Sequence, residues 1–187
     1  SEVQQFDVVV VGGGVAGLTA GLISARLGRS TLVLESVMPG GHLGSIVKIE
    51  DFPGFPEGVA GYDLGPMIQE QAANAGAEFQ MAELQSIAAK DGGWRIATGE
   101  GEIQAKAVIV ATGSSNRPLG VPGEERLVGK GVSHCASCDG PMLKGKKVIV
   151  VGAGDSALQE ALTLAEYAGE VLVLHSSAES TAQQVYQ

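Results

Sequence analysis

The chain has 187 residues, 44% of them hydrophobic and 18% charged, with 28 glycines. That apolar content excludes a disordered chain, and glycine at this level points to nucleotide-binding turns. Twelve basic against twenty-one acidic residues give a net charge of −9, which argues against a nucleic-acid surface built from clustered Lys and Arg.

Phe6 to Val11 is a β-branched run and reads as a buried parallel strand. It runs into Gly12-Gly13-Gly14-Val15-Ala16-Gly17, a G-x-G-x-x-G sequence. A helix is predicted from Val15 to Leu27, with Leu18, Leu22 and Ile23 on its packing face. A second strand, Thr31 to Leu34, ends at Glu35. In such a unit Gly12 permits the tight turn, Gly14 lets a pyrophosphate approach the backbone, and Gly17 lets the helix pack close to the strand. The helix N-terminus, with Val15 and Ala16, offers free N–H groups to phosphates. Glu35 can accept both hydroxyls of a ribose, and its carboxylate would repel a 2′-phosphate. The glycines alone are weak; strand, loop, helix, strand and terminal acid in that order are specific, the bland alternative being a turn with no ligand. Val8 to Ala25 carries no charge, but five glycines and no basic flank make it strand, turn and helix rather than a membrane span.

Pro39-Gly40-Gly41-His42-Leu43-Gly44 reads as a loop, as does the proline-stiffened Glu50-Asp51-Phe52-Pro53-Gly54-Phe55-Pro56. A helix is predicted from Tyr62 to Ala75, with Met67, Ile68, Gln71 and Ala72 near one face. Short strands follow at 78–81, 83–88, 94–98 and 102–105, with Lys90-Asp91-Gly92-Gly93 as a turn. A separate buried strand, Ala107 to Ala111, leads into Thr112-Gly113. The pattern is a βαβ unit followed by an antiparallel meander.

Both cysteines lie in His134-Cys135-Ala136-Ser137-Cys138-Asp139-Gly140. Two thiols at this spacing can close and reopen a small disulfide ring, and the thiolate is the nucleophile. Zinc would need about four ligands, and the chain has no second cysteine pair and only His42, His134 and His175; no metal site is expected. Haem attachment needs His directly after the second cysteine, where Asp139 stands. A permanent structural disulfide suits a small secreted chain. With no targeting segment in the sequence, the expected location is cytoplasmic and the pair is read as redox-active. A carboxyl beside it can move the proton that exchange requires; the alternative for Asp139 is a turn residue before Gly140.

Lys146 to Val151 reads as a strand, Gly152-Ala153-Gly154-Asp155-Ser156-Ala157 as a second fingerprint in its Gly/Ala form, Asp155 to Tyr167 as a helix and Val171 to Leu174 as a strand. A serine-hydrolase reading of Ser156 fails, because Leu158 stands where G-x-S-x-G needs its last glycine.

The order of these motifs, from Gly12 through Glu35, Gly40-Gly41-x-Leu43, Phe52-Pro53-Gly54-Phe55, Ala111-Thr112-Gly113, Cys135-x-x-Cys138-Asp139-Gly140 and Gly152-x-Gly154-Asp155-Ser156-Ala157, closely resembles the low-molecular-weight thioredoxin reductases over Phe6 to Leu174. The resemblance implies an α/β fold with two Rossmann-like dinucleotide-binding units: an FAD domain with a β-meander insertion at residues 1–116, then a pyridine-nucleotide domain at 117–187. It implies that Glu35 holds the FAD ribose and that Gly40, Gly41, His42, Leu43, Thr112 and Gly113 lie by the FAD. It makes Cys138 the thiol facing the flavin, Cys135 the thiol exchanging with substrate and Asp139 the acid/base. The implied partner is a thioredoxin-like protein or a small dithiol or disulfide, in a homodimer, with no nucleic acid and no membrane.

Three departures stand out. His175 is followed by Ser176-Ser177 where members that use NADPH carry basic residues, and no Lys or Arg occurs from Val148 to Gln187. A 2′-phosphate is accommodated by arginine, so the nicotinamide donor, NADH or NADPH, stays open. His42 and Asp51 stand where the family has amides, and Asp51 would bring a carboxylate to the flavin. The family pattern continues beyond Gln187 and returns to the FAD domain, so the chain reads as part of a longer protein. The leading expectation is a flavin-dependent disulfide reductase. An FAD-dependent dithiol oxidase using oxygen, and a non-catalytic nucleotide-binding module, are the alternatives.

Overall fold

The computed structural model describes residues 3–187; the first two residues of the predicted FAD domain lie outside the described residues. The chain divides into two compact units, one running to Ser115 and one from Asn116 to Gln187.

The first unit is built on a six-stranded sheet of order β3-β2-β1-β6-β5-β4. Strand β1 (Gln4–Val11) leads through the glycine turn into helix α1 (Val15–Arg26) and then β2 (Thr31–Glu35). Helix α2 (Gly61–Asn74) crosses to β3 (Glu78–Met81), and β4 (Leu84–Lys90), β5 (Gly93–Thr98) and β6 (Gly101–Val110) form the meander. β1 pairs in parallel with β2, Val8 opposite Thr31, and with β6, Val8 opposite Ala107. Parallel strands covered on both faces need continuous apolar runs: Val9, Val10 and Val11 are all buried, each contributing about 1.5–3 kcal/mol of transfer free energy. Alternation sends Val9, Val11, Leu32 and Leu34 to one face, with Ile96 and Ile103 of the meander. On α1, Leu18 packs with Leu64 and Ile68 of α2. The backbone of α1 reaches β2 closely, because a Cβ on Gly21 would lie 2.6 Å from Val33 Cγ2.

Three local expectations are corrected. Residues 102–105 and 107–111 are not two strands: β6 is continuous, and its first half pairs with β5 while Ile103 to Val110 pair with β1. Only Lys106 separates the predicted pieces; it turns out to solvent and pairs with Asp7 at 2.7 Å, and no turn residue interrupts the run. On α1, Ile23 is half exposed and off the packing face, which Leu18, Gly21 and Ala25 form. On α2 the buried stripe is Leu64, Ile68 and Ala72 at helical spacing, and Met67 and Gln71 point outward.

The second unit holds a parallel pair, β7 (Lys147–Val151) and β8 (Glu170–Leu174), in register from Lys147 opposite Glu170 to Val151 opposite Leu174. Short helices α3 (Glu124–Leu127) and α4 (Ala136–Asp139) precede it, and helix α5 (Asp155–Ala165) crosses between its strands. Ala161 and Leu164 are the buried positions of α5. Among the described residues no helix is long and apolar enough to cross a membrane.

Candidate functional site

The first glycine turn has a separate geometric reason for each glycine. Gly12 has φ +105, and a Cβ there would sit 2.2 Å from Ala111 O. A Cβ on Gly17 would lie 1.7 Å from Gly12 O, so only glycine lets α1 close on the turn. Gly14 differs. Its φ of −74 and ψ of −175 are open to any residue, and a Cβ there would meet nothing within 4 Å. Its freedom from a side chain serves open space at the start of α1, where Val15 and Ala16 begin the helix with no side-chain cap. Backbone N–H groups at such a terminus are unpaired donors for an anion.

Glu35, at the end of β2, closes the turn. Its Oε2 accepts the Gly13 N–H at 2.8 Å, and its Oε1 accepts from Ser36 N at 2.7 Å and Val37 N at 3.1 Å. The same carboxylate that sequence reasoning assigned to a ribose therefore also fixes the loop.

The Gly40–Leu43 segment packs beside this turn. Gly40 N–H donates to Gly13 O at 2.7 Å, and a Cβ on Gly41 would come within 3.4 Å of Gly14 Cα. A 3-10 turn, Gly41–Ser45, follows. His42 Nε2–H donates to Ser114 O at 2.8 Å, tying this turn to the strand exit that carries Thr112 and Gly113. The predicted residues Gly12, Gly14, Gly17, Glu35, Gly40, Gly41, His42, Thr112 and Gly113 thus gather at the C-terminal ends of β1, β2 and β6. Leu43 is half buried against the Leu18–Leu64 cluster. Asp51 is exposed, in the loop closed by the Ile49–Val59 bridge.

Sequence reasoning missed Gly61 and Gly65. A Cβ on Gly61 would lie 1.9 Å from Leu43 O, and one on Gly65 would lie 3.0 Å from Gly40 Cα. These two glycines let α2 seat the Gly40–Leu43 segment; their i, i+4 spacing on one helix face was the available signal.

In the second unit Cys135 and Cys138 form a disulfide with Cα atoms 5.3 Å apart. Cys135 is the N-cap of α4, and its Sγ accepts the Cys138 N–H at 3.2 Å and lies 3.3 Å from Ser137 Oγ. Cys138 is exposed and Cys135 half buried. Asp139 closes the helical turn, its N–H donating to Cys135 O at 3.2 Å. The Ala136 N–H donates to the carboxylate of Glu160 on α5, a partner that sequence reasoning also missed.

The second glycine turn follows β7. Gly152 has φ +141, and a Cβ there would meet Ala157 Cβ at 2.9 Å. A Cβ on Gly154 would find only Thr181 Oγ1, at 3.8 Å. Asp155 is engaged by Gln183: its Oδ1 accepts the backbone N–H at 2.6 Å and its Oδ2 accepts the side-chain Nε2–H at 2.8 Å. The Gln183 bonds hold its carboxyl below the ordinary range. Ser156 is exposed. Beyond β8, His175 Nδ1 contacts Ser177 O at 2.9 Å, in a loop with no basic side chain.

Each unit thus carries a glycine turn at the end of a parallel strand, and the second also carries a Cys-x-x-Cys disulfide on a one-turn helix. The chain belongs to the pyridine nucleotide-disulphide oxidoreductase family, whose profile matches residues 6–185. Within that family it is similar to thioredoxin reductases. It is 38% identical to the thioredoxin reductase of Bacillus subtilis across the whole of this chain and 59% of the relative. Among solved structures, the Lactococcus lactis thioredoxin reductase superposes with a TM-score of 0.92 at 36% identity, over 97% of this chain and 60% of the other. A ferredoxin-flavin thioredoxin reductase from Clostridium acetobutylicum matches at 31% identity and TM-score 0.56, over 98% of this chain and 64% of the other. The chain therefore spans about three-fifths of the Bacillus relative's length.

Proposed function

We propose that this chain carries the FAD-binding and disulfide-bearing part of a flavin-dependent disulfide reductase of the thioredoxin reductase type. The observation that carries the reading is the Cys135–Cys138 disulfide, closed across a single helical turn with Cys138 exposed. The cradle fits FAD: Gly14 leaves open space at the first helix terminus, and Glu35 presents acceptor oxygens beside it. Bound there, FAD supplies two-electron chemistry to a disulfide.

The residues of the chain have distinct parts in this reading. Gly12 and Gly17 bring the α1 N-terminus against the strand ends, where its N–H groups meet the pyrophosphate. Glu35 accepts the ribose hydroxyls, and Gly40 to Leu43 with Thr112 and Gly113 border the flavin. Cys138 is the thiol on the flavin side. Cys135, as a thiolate, attacks an external disulfide sulfur, forming a mixed disulfide and releasing the first substrate thiolate. Cys138 then attacks Cys135 Sγ, restoring the intramolecular disulfide and releasing the second substrate thiolate. Asp139 gives the proton that a leaving thiolate takes and recovers it from the reduced pair. The exchange partner is a thioredoxin-like protein or a small disulfide, with a homodimer in a reducing cytoplasm as the setting.

The donor follows from charge. Gly152 to Ser156 fits the pyrophosphate of a nicotinamide dinucleotide, since Gly154 has only Thr181 near it. The loop beyond β8 offers Ser176 and Ser177 to the adenosine ribose, and the stretch from Val148 to Gln187 holds five acids and no Lys or Arg. NADPH is therefore a poor donor, and NADH, a ferredoxin-like protein or a small dithiol is used instead. With a dithiol as donor the same parts would serve a dithiol oxidase passing electrons to oxygen, and the missing basic patch favours that second reading. Serine substitution tests the pair. Cys138→Ser abolishes disulfide reduction and leaves Cys135 open to alkylation; full activity in both single Cys→Ser variants would end the reading.

A further inference from the structure

Helix α5 does more than follow the second glycine turn. Ala136, the residue just after Cys135, is 5% exposed, and its N–H is one of the first-turn donors that α4 cannot satisfy internally. The acceptor is the carboxylate of Glu160, twenty-four residues on and in the middle of α5. The bond is charge-assisted, and a buried N–H left without a partner is costly. The other end of the redox turn rests on the segment that follows the same helix: a Cβ on Gly140 would lie 2.9 Å from the Tyr167 ring. The turn is thus held at both ends, at Ala136 and at Gly140. Of its two cysteines, Cys135 is the one next to the Glu160 bond.

That bond matters most when the disulfide opens. Reduction adds two electrons and two protons, the S–S bond breaks, and two thiols form. The 5.3 Å separation of the cysteine Cα atoms is then no longer fixed covalently. The Cys138 N–H to Cys135 Sγ contact and the Glu160 to Ala136 bond remain to hold it. We propose that Glu160 is a positioning residue of the pair: it keeps Cys135 against Cys138 in the reduced state and so sets how readily the disulfide closes. The inference rests on the exchange reading given above.

The test is the equilibrium of the full protein with mixtures of reduced and oxidised dithiothreitol. In that exchange the protein disulfide gains the two electrons and two protons that the reduced reagent gives up in forming its ring. Thiols are quantified after acid quenching. Because the bond is made in both states, only the part of its strength that the looser dithiol turn forfeits moves the equilibrium: Glu160→Ala is expected to shift it toward the dithiol by about threefold, a fraction of the value of one charge-assisted bond. Glu160→Gln keeps an acceptor oxygen without the charge and is expected to shift it in the same direction by about twofold. Glu166→Ala, which removes an exposed acid just beyond α5, is expected to leave it unchanged. Far-ultraviolet circular dichroism checks that each variant is folded. If Glu160→Ala does not fold, Glu160→Gln decides: an equilibrium equal to wild type overturns the proposal. If the wild-type pair does not close reversibly at all, it is the exchange reading that fails, and the two failures are distinguishable in one titration.

Discussion

Gly14→Val separates the ligand role of the first turn from its folding role. In the structure the backbone at Gly14 is extended and its Cβ direction is empty to 4 Å. A β-carbon there meets no atom of the protein within 4 Å. Losing a good N-cap residue costs up to about 1 kcal/mol, and the stiffer unfolded chain returns about 0.4–1 kcal/mol. The net is near zero, so the melting temperature should move by no more than about 2–4 °C. The branched side chain would fill the space that a pyrophosphate needs. Losing even one hydrogen bond to a charged oxygen removes about 1.5–3 kcal/mol, which is roughly a 10- to 150-fold rise in Kd. Gly17→Ala is the contrast: its Cβ would lie 1.7 Å from Gly12 O, so helix and turn must part, at about 1–3 kcal/mol or more. The assay pairs ligand-free thermal unfolding with FAD titration by flavin fluorescence. Gly14→Val should melt like wild type and bind FAD poorly; Gly17→Ala should lose both. Wild-type FAD affinity in Gly14→Val would refute the reasoning.

Glu35→Ala should weaken FAD binding by about 1.5–3 kcal/mol and also lower the melting temperature, because the Gly13, Ser36 and Val37 N–H groups lose their acceptor; calorimetric titration together with a melt reads both. Rapid anaerobic mixing of the flavoprotein with NADPH and with NADH should show slow reduction by NADPH, and arginine at positions 176 and 177 should speed it; fast reduction of wild type by micromolar NADPH would overturn the loop argument. Asp7 is held down to about 2, first by its bond to Lys106 and then by the Ser30 N–H. Since the folded value lies below the unfolded one near 3.9, its contribution is complete above about pH 4 and is lost as pH falls toward about 2. Asp7→Asn should therefore melt with a shallower pH dependence across that window, and an unchanged slope would contradict the assignment.

The glycine turns were legible because each combines a local conformational demand with a fixed place after a strand, and both periodicities around them are strong. Val9 to Val11 reads as a two-face buried strand from composition alone. What could not be read was set by long-range packing. Whether residues 101–110 make one strand or two depends on β1 and β5 pairing with them, and nothing within the run marks a break. Ile23 and Met67 are as apolar as their buried neighbours, and only the direction of approach of the sheet and of the other helix decides which side is covered. The Glu160 to Ala136 bond joins residues twenty-four apart with no motif between them, whereas Gly61 and Gly65 were visible as spacing but carried no indication of which loop they admit.

In the proposed function Cys135 and Cys138 are the redox partner of a flavin bound at the first turn. The most direct measurement is anaerobic reductive titration of the FAD-loaded protein, followed at once by thiol counting. Wild type should take up one electron pair more than the double variant Cys135→Ser/Cys138→Ser, and the additional pair should appear as two alkylatable thiols at those positions. Equal uptake by the two proteins, with the wild-type disulfide still closed after the flavin is bleached, would contradict it.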